Sequence, residues 1–125
     1  MRDFTAQILF SSQIPFAMGM SEIWGADCLG LVILQHKMDN LDYSWEYTIP
    51  RRPMSFQEYC YYLTQCGYTP DDQGDVIVLR YVGNAHLGLV HKDKMVSQDN
   101  RMGGTYVQNI PTNGFRFSKT KHKDS

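Results

Sequence analysis

The residue best suited to covalent chemistry is Cys28, which follows Asp27 at the head of an apolar run. Asp is a good N-cap residue, so residues 28–37 are predicted to form a buried helix whose first turn contains the cysteine. The unpaired backbone N–H groups and the dipole at a helix start favour a thiolate over a thiol. Cys28 is therefore a candidate nucleophile. The structural alternative is a small core residue, since free cysteines are often buried.

A histidine that could serve as the base lies downstream, at His86 near the start of a predicted strand. Side chains alternate along a strand, so His86 shares a face with Gly88. We expect Gly88 to let the cysteine helix approach, with Gly30 as the matching small surface. This arrangement predicts Cys28 Sγ within ~4 Å of a His86 ring nitrogen. The structural alternative is a polar core histidine with one satisfied hydrogen bond.

Helices are predicted to position the cysteine. Apolar residues recur at helical spacing over residues 4–10, before the cysteine helix. Ser55 and Glu58 match a capping box at the start of a third helix, which ends near Cys66 before Gly67. The loop 13–25 is too apolar for a solvated linker, so we expect it to fold over the cysteine helix as one wall of a cleft.

The connection 39–53 is irregular in its sequence pattern, and we expect Tyr43, Trp45 and Tyr47 to order it. Arg51 and Arg52 lie near its end. Such a pair could meet a substrate carboxylate, although a solvated surface is its commoner place.

Strands are predicted in the second half of the chain, to carry the histidine. They are residues 75–82, 85–91, 94–98, 105–110 and 114–117, followed by a polar tail over 118–125. Helices followed by an antiparallel meander predict an α+β fold with the nucleophile helix packed on the sheet. Residues 1–117 are expected to form one domain.

The composition argues against several classes of protein. Lys and Arg number 12 against 13 Asp and Glu, which disfavours nucleic-acid binding through a basic face. Three cysteines without a Cys-x-x-Cys pair indicate neither a disulfide framework nor a zinc site. No segment approaches the ~20 apolar residues of a membrane span, and no signal-peptide core is visible. We therefore expect reduced thiols, no membrane insertion and no export by the general route.

Two blocks of sequence carry a family resemblance. Asp27-Cys28-Leu29-Gly30-Leu31-Val32, followed by Gly74-Asp75-Val76-Ile77 and Asn84-Ala85-His86-Leu87-Gly88-Leu89, resembles the NlpC/P60 family of papain-like cysteine peptidases. The phage group that includes tail-associated cell-wall peptidases is the most similar. The resemblance spans about residues 15–98, and the segments 50–53 and 115–117 are also similar to that group.

The resemblance implies a papain-like fold and hydrolysis of an amide in the peptidoglycan stem peptide, typically between D-glutamate and diaminopimelate or lysine. It makes Cys28 the nucleophile and His86 the base, and requires no cofactor or metal. The oxyanion would be met by the backbone N–H of Cys28 and a second donor. Location in a virion tail, after synthesis in the host cytoplasm, and contact with phage tail proteins are further implications.

This chain departs from the family at two points. The family's third polar residue is usually a histidine; counting forward from His86 gives Gln98, or Ser97 if the turn is tighter. We choose Gln98, whose side-chain oxygen could accept the imidazole N–H. Phe16 and Leu29 also stand where many members have Tyr and Ser, so hydroxyl groups used by those members must be replaced here.

Three functions remain open on the sequence. The first is a tail-associated peptidoglycan endopeptidase. The second is a structural component of a tail tip that kept the fold and has weak or no activity, for which the altered third position is the motive. The third is an intracellular thiol amidase or transferase that uses the same pair on another small amide.

Overall fold

The computed structural model describes residues 1–81 and 84–119, which form a mixed α+β fold as the sequence predicts. Three α-helices precede most of the sheet: α1 (Asp3–Ser11), α2 (Cys28–Met38) and α3 (Phe56–Gln65). The strands are β1 (Ser21–Glu22), β2 (Gly25–Ala26), β3 (Tyr68–Pro70), β4 (Val76–Tyr81), β5 (Asn84–His91), β6 (Lys94–Asp99), β7 (Gly104–Asn109) and β8 (Phe115–Lys119). Short 3₁₀ helices span Ser44–Thr48 and Asn100–Met102.

The main sheet is antiparallel, with strand order β3-β8-β4-β5-β6-β7. Strands β4 to β7 form the predicted meander. Strand β8 crosses back to lie between β3 and β4, where Val76 pairs with Phe117 and Pro70 with Phe117 on the other side. The N-terminal strand of this sheet, β3, was not predicted because its three residues include a proline, which has no N–H to donate.

Helix α2 packs against one face of the sheet and is buried over most of its length, with Leu31, Val32 and Ile33 fully inside. That face presents Val78, Leu87 and other apolar residues to the helix. The opposite face has its own smaller cluster, formed by Ile77, Leu79, Val90 and Met95. Because both faces of the central strands are covered, β4 has the continuous apolar sequence expected of an interior strand.

The start of α3 confirms the predicted capping box. Ser55 accepts a hydrogen bond from the backbone N–H of Glu58, and the Glu58 carboxylate accepts from the backbone N–H of Ser55. These two bonds satisfy donors that a helix start otherwise leaves open. They fix where α3 begins and thereby help to position Tyr59, which lies in its first turns.

Two predicted segments differ in detail. The loop 13–25 contains the short β1–β2 hairpin, and β8 continues through Ser118 and Lys119, which the sequence pattern assigned to a polar tail. Those two residues pair with Thr69 and Tyr68 of β3, so backbone hydrogen bonding overrides their polarity. The rest of the predicted tail, 120–125, lies outside the described residues, as do 82–83.

The aromatic residues of the connection 39–53 order it in part, as predicted for Tyr43. Tyr43 packs against the core and lies edge-to-face with Tyr47. Trp45 and Tyr47 are 59% and 53% exposed, and the 3₁₀ helix that contains both turns Glu46 inward. Cys66 donates a hydrogen bond from its sulfur to the Trp45 carbonyl oxygen at 3.3 Å. The connection is therefore held by Tyr43 and Ile49 at the core and by polar contacts with the interior.

None of the helices in the described part of the chain combines the length and the apolar character needed to cross a membrane.

Candidate active site

The N-terminus of α2 places Cys28 in the first helical turn, as predicted. Asp27 is the N-cap, and its Oδ1 accepts a hydrogen bond from the Gly30 backbone N–H at 2.6 Å. Its Oδ2 accepts from the Gly19 N–H at 2.7 Å, which ties the preceding loop to the helix start. A cap of this kind stabilises a helix by about 1 kcal/mol. Asp27 therefore has the capping role assigned to it from sequence.

Arg51 also contacts Asp27. Its Nη1 lies 3.1 and 3.0 Å from the two carboxylate oxygens. Asp27 is 4% exposed and Arg51 18% exposed at the side chain, so this ion pair is largely shielded from solvent. The pairing gives the buried carboxylate a counter-charge that a buried anion requires.

The sulfur of Cys28 sits among hydrogen-bond donors. The Tyr59 hydroxyl oxygen is 3.6 Å from Sγ, and the backbone N–H groups of Leu87 and Leu29 also hydrogen bond to the sulfur. Burial raises the pKa of the Cys28 thiol, the bonds from Tyr59, Leu87 and Leu29 lower it, and the Asp27 carboxylate raises it. The net shift is upward. The predicted preference for a thiolate is therefore wrong, because burial outweighs the hydrogen bonds that lower the pKa of the Cys28 thiol.

His86 lies on β5 directly before Leu87, the residue whose N–H reaches the cysteine. The β5–β6 pairing runs from His91↔Lys94 to Leu89↔Val96, whereas β6 stays paired with β7 through Asp99↔Gly104. The first residues of β5 and the last of β6 thus part from each other, and both line one cavity with Cys28. His86 and Cys28 therefore line the same cavity at this opening in the sheet.

The expected glycine contact between β5 and α2 is wrong. A Cβ on Gly88 would meet the Met95 side chain at 2.5 Å and the Ile77 side chain at 3.4 Å, which are on the face away from α2. A Cβ on Gly30 would meet the Met20 carbonyl oxygen at 1.8 Å. Gly30 therefore admits the loop 13–25, and Gly88 admits the packing of the opposite sheet face.

The imidazole has an acidic neighbour at the end of β6. Burial lowers the pKa of His86, the Asp99 carboxylate raises it and the Arg101 guanidinium lowers it, with a net downward shift. Burial by itself would raise the pKa of Asp99, but hydrogen bonds from Arg101 hold it below its usual range. Arg101 Nη2 lies 3.3 Å from Asp99 Oδ2. His86 is thus electrostatically coupled to Asp99.

Gln98 lines the same cavity, but its amide has other partners. Nε2 donates to the carbonyl oxygens of Ile14 at 3.0 Å, Pro15 at 3.3 Å and Ala26 at 3.1 Å, and Oε1 accepts from Thr105 Oγ1 at 2.9 Å. These contacts fasten the loop to the sheet.

Ser97, the other residue considered for the third position, pairs with Tyr106 of β7 and is 2% exposed. Among the described residues, Ser97 does not line the cavity that contains Cys28 and His86.

The cavity has a volume of about 390 Å³. Phe16 and Met18 of the loop 13–25 form part of its wall, which confirms the predicted cleft wall. Its remaining lining residues are Asp27, Cys28, Leu29, Pro50, Arg51, Arg52, Pro53, Tyr59, Asn84, Ala85, His86, Gln98, Asp99, Asn100 and Arg101. A space of this size suits a small peptide or amide ligand.

Sequence reasoning missed two residues of this site. Tyr59 lies at helical spacing from Phe56 and Leu63, which indicates an apolar contact, although a buried tyrosine hydroxyl usually finds a polar partner. Asp99 could have been found from the two-residue turn at 92–93. That turn pairs His91 with Lys94, and continuing the same register places Asp99, not Gln98, opposite His86.

The other thiols lack these surroundings. Burial raises the pKa of both Cys60 and Cys66, and neither lines the cavity among the described residues. Within residues 1–81 and 84–119, no group of three His, Cys, Asp or Glu side chains is placed to hold a metal ion.

Comparison with protein-family models and with curated protein sequences finds no match for this chain.

Proposed function

We propose that the protein is a cysteine peptidase of the NlpC/P60 type, with a papain-like arrangement of helix and sheet, that hydrolyses an amide of the peptidoglycan stem peptide. One observation carries the proposal. Cys28, at the start of α2, and His86, at the start of β5, line the same cavity, and the N–H next to His86 reaches the cysteine sulfur. A nucleophile and a base that share an accessible space are the minimum for acyl transfer.

The directions of the pKa shifts support a reaction that starts from the uncharged pair. The upward shift at Cys28 and the downward shift at His86 leave a neutral thiol facing a neutral imidazole at neutral pH. His86 takes the thiol proton as Sγ attacks the amide carbonyl carbon, and then gives that proton to the leaving amine. Water, deprotonated by His86, then attacks the thioester carbonyl carbon, the C–S bond breaks, and His86 returns the proton to Sγ as the acid is released. The charge separation therefore forms during the attack and not before it.

Two kinds of donor lie near the position of the oxyanion. The backbone N–H of Cys28 is in the first turn of α2, where no intrahelical carbonyl accepts it. The Tyr59 hydroxyl, 3.6 Å from Sγ, supplies a second donor from α3. Phe16 cannot supply the hydroxyl that many family members have in that loop, and we assign Tyr59 to replace it.

We assign the third position to Asp99 and not to Gln98. The Asp99 carboxylate stabilises a charged His86, whereas the Gln98 amide is committed to three backbone carbonyls and Thr105. A carboxylate beside the base holds the imidazole and stabilises the imidazolium that forms during attack. Gln98 instead positions the cleft wall.

The substrate and setting rest on the sequence resemblance. A stem peptide in the bacterial wall is the substrate, and phage tail proteins are the partners that carry the enzyme to the wall. On this proposal the protein acts from the virion tail after synthesis in the host cytoplasm.

Dye release from purified, dye-labelled cell walls tests the proposal. Cys28→Ala should lower the rate at least 10³-fold, since the nucleophile is lost, and Cys60→Ala should retain wild-type activity. Lysis that survives Cys28→Ala would end the thiol mechanism. A mass-spectrometric digest of muropeptides identifies the bond that is cut.

The raised thiol pKa also favours a second function, a structural tail-tip component with little or no activity. Absence of lysis by both the wild type and Cys28→Ala would support that function. Activity on small amides without activity on muropeptides would instead indicate a thiol amidase or transferase.

A further inference from the structure

Arg51 has a donor that the described part of the chain leaves without a partner. Its Nη1 is bound to Asp27, but its Nη2 is buried and makes no hydrogen bond with any described residue. A guanidinium has two parallel N–H edges suited to a carboxylate, and a buried N–H without an acceptor is destabilising. Arg51 also lines the cavity. An acceptor supplied by a ligand would satisfy this donor.

The segment that carries Arg51 is held against both halves of the candidate site. Arg51 reaches Asp27, the residue before Cys28. Three residues further along, the Met54 carbonyl oxygen accepts a hydrogen bond from the backbone N–H of Ala85 at 2.9 Å, next to His86. Prolines on either side of the two arginines restrict the backbone. The guanidinium is thus fixed beside the reacting groups.

The charge of the cavity also favours an anion. Three arginines but only two aspartates line it, and both aspartates are already paired, Asp27 with Arg51 and Asp99 with Arg101. Arg52, the neighbour of Arg51, differs from it in one respect that matters. Its Nη2 donates to Glu58 at 2.7 Å and its side chain is 50% exposed. Of these two arginines, only Arg51 has a buried N–H group without an acceptor among the described residues.

We infer that Arg51 selects amide substrates that carry a free carboxylate next to the scissile bond over the same substrates with that group amidated. The inference rests on the proposed function and adds its specificity determinant. The carboxylate binds Nη2 while Nη1 remains on Asp27, so the ligand is held by the same residue that neutralises the helix cap. A carboxamide brings no negative charge and turns a donor toward the guanidinium, so it binds less well.

The test uses a matched pair of peptides, L-alanyl-γ-D-glutamyl-L-lysine and its form with an α-carboxamide on the glutamyl residue. Calorimetry on the Cys28→Ala protein measures binding without turnover. We expect the carboxylate peptide to bind about 10- to 100-fold more tightly than the carboxamide peptide. In Cys28→Ala/Arg51→Lys the preference should fall to under about threefold, since lysine keeps a charge beside Asp27 but lacks the second planar edge.

Arg52→Lys in the same Cys28→Ala background is the control and should retain the preference. Equal binding of the two peptides, binding of neither, or a preference that survives Arg51→Lys would overturn the inference. Thermal melting checks that each variant folds. Should Arg51→Lys not fold, the wild-type preference and its loss above 0.5 M salt, where charge contacts are screened, decide the question.

Steady-state kinetics on the wild type separate this inference from the proposed function. If neither peptide is hydrolysed although the carboxylate peptide binds preferentially, the peptidase proposal fails and the carboxylate site stands. If both peptides are hydrolysed with equal kcat/KM and bind equally, the peptidase proposal stands and the carboxylate site fails.

Discussion

The two ends of α2 carry similar residue types in different surroundings. At its C-terminal end, His36 Nδ1 hydrogen bonds to Gln35 Oε1 and His36 Nε2 to the Tyr68 hydroxyl, both at 2.6 Å. Glu46 and Lys119 form a buried ion pair beside them. At its N-terminal end, Cys28 lies beside the Tyr59 hydroxyl, and both residues line one cavity with His86. Each end thus has a histidine, a tyrosine hydroxyl and acidic groups.

The two ends of α2 differ in whether a ligand can reach the histidine. His36 is 1% exposed and both ring nitrogens have partners, so no substrate could reach it. Burial is the largest cause that lowers its pKa, to about 4. His86 has a lowered pKa as well, but it faces a space that can hold a ligand. A constellation of reactive residue types therefore indicates chemistry only where the fold leaves room for a reactant.

The largest effect that would sharpen this comparison is expected at Asp99. Asp99→Asn should lower kcat/KM by about 10³-fold, because the imidazolium loses its carboxylate. The acid limb of the pH–rate profile should move to lower pH, since Asp99 raises the His86 pKa. Steady-state assays across pH measure both changes.

Gln98→Met is the matched control for Asp99→Asn. It should lower thermal stability by loosening the loop and leave the acid limb in place. A limb that moves with Gln98→Met and not with Asp99→Asn would return the third position to Gln98.

The C-terminal end of α2 should respond to acid through stability. The pKa of His36 is lowered from 6.5 to about 4 in the folded state, so the unfolded chain takes up the proton first as pH falls. Neutral His36 makes its full contribution to the free energy of unfolding above pH 6.5. As pH falls toward 4, that free energy decreases by about 3 kcal/mol. Urea denaturation at pH 7 and pH 4 measures it.

His36→Gln should reduce this dependence on pH by about the same 3 kcal/mol. His91→Gln is the control, because His91 lies nearer the surface beside Asp3. A His36→Gln protein that keeps the full wild-type dependence would show that the buried histidine does not control acid stability.

The smallest effect is expected at Tyr59. Tyr59→Phe removes a hydroxyl that lowers the pKa of the Cys28 thiol, so that pKa should rise further. Alkylation by iodoacetamide at pH 8 should slow by up to about 10-fold, because less thiolate is present. The rate as a function of pH measures the shift.

Tyr61→Phe, on the exposed side of α3, should leave the alkylation rate at Cys28 unchanged. Faster alkylation of Tyr59→Phe would mean that the hydroxyl shields the sulfur more than it stabilises the thiolate.

The sequence predicted the elements that depend on local pattern. The Asp27 cap, the Ser55–Glu58 capping box and the meander follow from near neighbours in the chain. The parts that failed depend on distant segments. Which face Gly88 occupies follows from where α2 lies, and the raised pKa of Cys28 follows from burial by segments far along the chain. Tyr59 is placed at the sulfur by the packing of α3, which no helical periodicity specifies.

The Gln98 amide has a consequence for how ligands enter. One side-chain nitrogen donates to carbonyls of Ile14, Pro15 and Ala26, so the strand that ends beside His86 and the segment leading to Cys28 are clasped together. Moving that segment outward would break these three hydrogen bonds, two of which are buried. We therefore expect this side of the cleft to keep its shape when a ligand enters.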